Sequence, residues 1–120
     1  MSLGKLRVAI PTKGHDGIED VVSEVFGRAP TFTIFDVEEG KIKNVKVLEN
    51  PAISYQHGTG PIVVKMLTDE GVNVVLSNEL GPGASALLAQ HNTTMIAVKP
   101  GIKVSETLRK TSWSTINIHI

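Results

Sequence analysis

Two glycine-rich stretches carry residue types and spacings that suit ligand chemistry: His57-Gly58-Thr59-Gly60-Pro61 and Asn78-Glu79-Leu80-Gly81-Pro82-Gly83-Ala84. In each, glycine lets backbone approach a ligand closely and proline suits the first turn of a helix. The first N–H groups of a helix lack intrahelical partners, and its N-terminus carries partial positive charge, so each junction suits an anion. The plainer reading is ordinary turn chemistry. Neither stretch is a nucleotide motif: no GxxxxGK[ST] loop occurs and no GxGxxG follows a strand.

The four histidines are His15, His57, His91 and His119, and no two have the three-to-five-residue spacing of a local metal pair. His57, beside the glycine turn, is the first candidate metal ligand and His15 the second; the plain alternative for both is a solvated loop side chain. His91 falls near a helix end and His119 in the tail. In Phe26-Gly27-Arg28-Ala29-Pro30-Thr31-Phe32, Gly27 and Pro30 define a tight path that Phe26 and Phe32 anchor in the core. Arg28 is then offered from a rigid loop, either to grip an anion with several donors or to make a structural ion pair or helix cap. The first strand carries no carboxylate, which counts against two-metal phosphoryl chemistry, and there is no GxSxG elbow. The residues themselves argue for no active site, and the chain is read as a non-enzyme.

The elements that must position these residues are legible as hydrophobic patterns. Leu6 to Ile10 predicts a buried strand ended by Pro11. Ile18, Val21, Val22, Val25 and Phe26 follow helical spacing, predicting a helix with Asp16 as N-cap, Glu19 as capping-box partner and Gly27 as stop. Thr31 to Val37 and Ile42 to Glu49 predict a hairpin turning at Glu39-Gly40, with Asn50-Pro51 breaking the second strand. A loop from Ala52 to Gly60 precedes a helix beginning at Pro61 and ending at Gly71, with Ile62, Val63, Met66 and Leu67 inward. A strand from Val72 to Leu76, a helix from Pro82 with Ala84, Leu87 and Leu88 inward, a strand from Thr93 to Val98 and a helix from Val104 to Lys110 complete the order β-α-β-β-α-β-α-β-α. Residues 111–120 alternate weakly and suit an edge strand or disorder.

Alternating strands and helices after residue 60 imply parallel pairing, so strand-end loops share one edge. His57, the Gly58 to Gly60 turn and Asn78 to Gly83 should then line one crevice, with Lys13 or Arg28 making it locally positive.

Composition bounds the rest. One chain of 120 residues fits a single domain able to bury a core without staples. Twelve basic and twelve acidic residues leave no excess for non-specific nucleic-acid binding. The absence of cysteine excludes disulfides, a cysteine nucleophile and thiolate ligation, and fits a cytoplasmic protein. No run reaches the length of a membrane helix, and Met1 to Lys5 lacks a signal-peptide core.

Val8-Ala9-Ile10-Pro11, Phe26-Gly27-Arg28-Ala29-Pro30, Glu49-Asn50-Pro51, His57-Gly58-Thr59-Gly60 and Leu80-Gly81-Pro82-Gly83-Ala84 together resemble, in order and spacing, the dinitrogenase iron–molybdenum cofactor biosynthesis family. The resemblance covers about residues 6–110 as one domain, with 1–5 and 111–120 as terminal segments. It implies an α/β, ribonuclease-H-like three-layer fold: a mixed five-stranded sheet with an antiparallel edge hairpin, flanked by helices. It implies a carrier that transiently binds an iron–molybdenum cofactor, an iron–sulfur precursor cluster or a related anion, with metallocluster-assembly proteins as partners. His57, Gly58, Thr59, Gly60, Arg28, Gly81 and Gly83 fall on the family's pattern, and Lys13 joins them as a candidate contact. Without cysteine, ligation of an iron–sulfur cluster falls to imidazole and backbone, where thiolates are usual. The rival readings are a protein-interaction module pairing through the 31–49 hairpin edge and a ribonuclease-H-type hydrolase.

Overall fold

Leu6, Val8 and Ile10 alternate with Arg7 and Ala9, and that period of two sends the former to one face of a sheet and Ala9 to the other. In the computed structural model, which describes residues 5–78, 80–111 and 113, these residues form the central strand β1 (Leu6–Thr12). The remaining elements are β2 (Thr31–Glu38), β3 (Lys41–Glu49), α1 (Thr59–Asp69), β4 (Val74–Ser77), α2 (Pro82–Gln90), β5 (Thr94–Ala97) and α3 (Val104–Lys110).

The five strands lie in the order β3-β2-β1-β4-β5. β1 pairs antiparallel with β2 (Val8 opposite Phe35) and parallel with β4 (Val8 opposite Val74); β2–β3 is antiparallel and β4–β5 parallel. The protein is therefore an α/β fold built on a mixed sheet, with three α-helices among the described residues. Four strands, β1, β3, β4 and β5, end at the same edge, which also receives the start of β2.

One face of the sheet packs Ala9, Phe32, Ile34 and Val75 against Val63, Val64 and Leu67 of α1 and Ala84 and Leu88 of α2. The other packs Val8, Ile10, Phe35, Val37 and Leu76 against Val104 and Leu108 of α3 and Val22. Both faces being covered explains why the central strands read as nearly continuous apolar runs.

The hairpin turns where expected: Glu39 (φ 54°) and Gly40 (φ 76°) both take the left-handed conformation that a two-residue hairpin loop requires. β3 carries an irregularity opposite Ile34 to Asp36, with Asn44 at φ 55°. Lys41, Lys43 and Lys46 lie along this edge strand, and lysines and bulges blunt pairing with a further strand.

The helix expected over Ile18 to Phe26 does not form. Only a 3₁₀ turn, Gly17–Glu19, is present, and Asp16 makes no side-chain cap. The carboxylate that organises this turn is Asp20, which accepts the Asp16 and Val21 N–H groups at 3.2 and 2.7 Å. Tertiary hydrogen bonds win over the helical spacing. Val22 N–H donates to Ile102 and Ser23 N–H to Pro11, both at 2.8 Å, while Gly101 N–H donates back to Val22. The valines, weak helix formers, lie instead in an extended strap that bridges Thr12 and Lys103.

Other boundaries also shift. β1 runs through Pro11 to Thr12, because Pro11 lies beyond the stretch paired to β4 and needs no N–H there. α1 starts at Thr59, two residues before Pro61, because Gly58 at φ 73° turns the chain into it. Val72 precedes β4, which starts at Val74. Gly71 (φ 79°) follows α1 as expected. Of the tail, only Thr111 and Trp113 lie among the described residues. No helix among the described residues is long and apolar enough to cross a membrane.

Candidate functional site

At the shared strand edge, α1 and α2 begin side by side. Gly60 faces Ala84 so closely that a Cβ on Gly60 would lie 3.5 Å from the Ala84 methyl. The strap from β1 to β2 passes over both, and Gly27 is its point of contact: a Cβ there would fall 2.6 Å from Thr59 Oγ1. Gly27 is thus required by close approach. It ends no helix, in contrast to the sequence expectation.

Between these segments lies an open cavity of about 390 Å³. The strap supplies Val25, Phe26 and Gly27; the start of α1 supplies Gly58, Thr59, Gly60 and Pro61; the start of α2 supplies Gly81, Gly83 and Ala84. Neither helix has a side-chain cap on its leading N–H groups: Gly58 and Gly81 precede them and carry no side chain. Pro61 and Pro82 lack an N–H, so the leading donors are those of Thr59 and Gly60 on α1 and Gly83 and Ala84 on α2. None of the described lining residues is acidic. Such a wall of backbone donors at two neighbouring helix starts suits an anion, each helix dipole contributing about 0.3–1 kcal/mol near the surface.

The strap is held from beneath. Phe26 packs edge-on against Phe32, ring centroids 5.4 Å apart. Asn50 is buried where β3 ends and donates to the carbonyls of Gly27 and Ala29 at 3.0 and 2.9 Å, while accepting the Ala52 N–H at 2.8 Å. The sequence reading assigned Asn50 only the role of strand breaker. Its partners lie 21 and 23 residues earlier in the chain, and nothing local announces them. The buried hydroxyls of Thr12, Thr31 and Thr33 link β1 to β2 at the same end, Thr12 to Thr31 at 2.7 Å.

Of the residues singled out in sequence, Gly58, Thr59, Gly60, Gly81 and Gly83 line the cavity together. His57 is exposed and immediately precedes Gly58 at the rim. Arg28 is exposed beside Gly27, and its guanidinium donates to the Gln56 carbonyl, joining the strap to the loop that leads into His57. Lys13 does not line the cavity; its ammonium pairs with Glu24 at 3.4 Å. His15 also lies outside it, exposed and 3.5 Å from Glu49. Asn78 borders neighbouring grooves, one of them shared with Val25. Among the described residues no group of three or more histidine or acidic side chains is gathered to hold a metal ion.

Among the described residues, a dense charge cluster lies at the opposite edge. Asp36, 2% exposed, accepts from Arg7 at 2.9 Å and from Asn44 at 2.9 Å, with Lys5 at 3.8 Å. Burial pushes its carboxyl up, but the Asn44 hydrogen bond and the Arg7 charge outweigh that and hold it below the usual range. Glu70 is likewise held down, chiefly by its hydrogen bond to Lys46 and with help from Arg7. Arg7 Nε also donates to the Glu70 carbonyl at the C-terminus of α1.

Comparison with known proteins identifies the family. The family described as "Dinitrogenase iron-molybdenum cofactor" matches residues 4–112. An uncharacterized protein of Methanocaldococcus jannaschii, MJ0580, is 31% identical over 85 residues, 71% of this chain and 68% of that protein. The solved structure of a putative NifB protein from Thermotoga, assigned to the DUF35 family, is 36% identical with a TM-score of 0.71, covering 91% of this chain and 85% of that one. The apo form of the orange protein from Desulfovibrio gigas is 25% identical with a TM-score of 0.76, covering 87% and 84%.

Proposed function

Because the chain belongs to the dinitrogenase iron–molybdenum cofactor family, we propose that it is a non-enzymatic carrier. Its cargo is an iron–molybdenum cofactor, an iron–sulfur precursor cluster or a related small anion, held transiently during metallocluster assembly. The observation that carries this reading is the shared cavity between the uncapped starts of α1 and α2, walled largely by glycines and with no acidic side chain among its described lining residues. The sheet order also fits a ribonuclease-H-like three-layer arrangement.

The cargo is anionic and presents sulfur or oxygen acceptors on its surface. Backbone N–H groups and dipoles suit it without demanding a fixed side-chain set, and Arg28 and His57 stand at the rim. His57 supplies the one imidazole adjacent to the turn, and with no thiolate in the chain the hold is exchangeable. Weak ligation is what a carrier needs if it is to hand its cargo to an assembly partner. We place the protein in the cytoplasm, where such clusters are built.

Two rival readings draw less support. The β3 edge offered to a protein partner carries lysines and an irregularity that discourage strand addition. For a hydrolase, Asp36 lies at the far edge, tied up with Arg7 and Asn44.

The test is an anaerobic titration of the purified protein with isolated iron–molybdenum cofactor, followed by visible absorption and paramagnetic resonance. Saturable binding is expected, weakened about tenfold, or about 1.4 kcal/mol, by His57→Ala. Absence of any spectral change on mixing with the wild type would remove the carrier reading.

A further inference from the structure

Asn50 directs its side chain toward two separate segments. It is 3% exposed, and its amide nitrogen is shared between the Gly27 and Ala29 carbonyls while its oxygen takes the Ala52 N–H. Its own backbone N–H donates to Pro30 at 3.1 Å. Ending a strand requires none of the bonds to Gly27 and Ala29, since Pro51 alone does that.

The bond to Gly27 has a directional effect. A trans peptide is planar, with its N–H pointing opposite to its C=O, and no cis peptide occurs among the described residues. Turning the Gly27 carbonyl inward onto Asn50 therefore turns the Arg28 N–H the other way, out of the interior. Among the described residues that N–H has no backbone acceptor. Gly27 itself lines the cavity and touches Thr59, the first residue of α1.

We infer that Asn50 is a positioning residue for anion binding: it locks the Gly27–Arg28 peptide so that the Arg28 N–H becomes a donor at the strap-side rim of the cavity, next to the lining residue Gly27, available to the same ligand as the starts of α1 and α2. This rests on the carrier reading, and the ligand class is the same: a metal–sulfur anion whose periphery accepts hydrogen bonds. Asn50 touches no ligand. It decides which way a backbone donor points, and the Arg28 guanidinium, tied to Gln56, braces the same loop pair.

The experiment uses the full chain, labelled with nitrogen-15, and isolated iron–molybdenum cofactor as the probe. If the wild type does not bind the cofactor, the carrier reading and this inference fall together. If it binds, the amide signals of Gly27 and Arg28 should broaden along with those of Gly60 and Gly83. Broadening of the helix-start amides with Arg28 unaffected overturns the role of Asn50 while leaving the carrier reading intact. Asn50→Ala should bind at least about tenfold more weakly. Asn44→Ala, which removes an amide from the far edge, should bind like the wild type. A folded Asn50→Ala protein with wild-type affinity overturns the inference; if that variant does not fold, the wild-type amide signals decide.

Discussion

The two ends of α1 are treated in opposite ways. At its C-terminus, Arg7 donates to the Glu70 carbonyl and also pairs with the Glu70 and buried Asp36 carboxylates, while Lys46 and Asn44 complete the set. At its N-terminus Gly58 offers no capping group, α2 beside it starts the same way, and a cavity opens between them. One end is saturated with side-chain charge; the other is left as bare backbone. A helix end that is neutralised contributes to stability, whereas one left open keeps its donors for something that arrives from solution. The same fold thus separates an edge saturated with paired charge from an edge of open backbone donors.

This contrast predicts that substitutions at the far edge should cost stability and leave binding unchanged. Arg7→Ala strips the buried Asp36 of its principal ion pair, a loss expected to be about 3–5 kcal/mol by urea denaturation. Retention of cofactor affinity by the folded fraction supports the division; loss of affinity without loss of stability would break it.

At the cavity edge the expectation reverses. Gly27→Ala drives a methyl into Thr59 Oγ1, and overpacking of this kind costs about 1–3 kcal/mol. Here binding should fall with stability, and adding Thr59→Ala should restore part of both. A Gly27→Ala protein with normal affinity would show that the contact with α1 does not shape the site.

Gly58 tests a different physical effect at the same wall. A Cβ there meets nothing within 4 Å, but the residue sits at φ 73°. Gly58→Ala should cost about 1–2 kcal/mol, from left-handed strain alone, with cofactor affinity lowered less than by Gly27→Ala. A thermal melt and a titration on both variants separate shape from strain.

The mildest probe changes no residue. Asp36 and Glu70 have folded pKa values below their ordinary 3.8 and 4.5. Their contribution is complete above the ordinary carboxylate range and is lost as pH falls through the depressed values. Stability should therefore be flat above about pH 5 and decline in acid. Arg7→Ala removes an interaction that lowers both pKa values, so its stability, lower to begin with, should decline less steeply in acid than that of the wild type. Coincident acid profiles for the two proteins would show that the pair does not govern this edge.

Much of the framework was legible along the chain. The Glu39-Gly40 turn, the α2 start at Pro82 and the α3 span follow from local rules of turn, cap and period, and the two glycine junctions do meet in one cavity, as parallel strands require. The strap was misread because Ile18, Val21, Val22 and Val25 satisfy a helical spacing while their backbone partners, Pro11 and Ile102, lie far off in sequence. Lys13 was misplaced for a related reason: the extended strap carries Glu24 to within 3.4 Å of it and the pair sits outside the cavity.

What the amino-acid sequence determined by itself was the set of elements with local signals: a short apolar run for β1, glycines at turns, prolines near helix starts, and the ordered motifs of the family. Those depend on a residue and its near neighbours. Only the tertiary structure decided that Gly27 is needed for space against Thr59, that Asn50 reaches back to orient the strap, and that Arg7, Asp36 and Glu70 form one network under the far end of α1. Each of these joins residues more than twenty positions apart, where the pairing is set by how strands and helices stack, and no local preference encodes it.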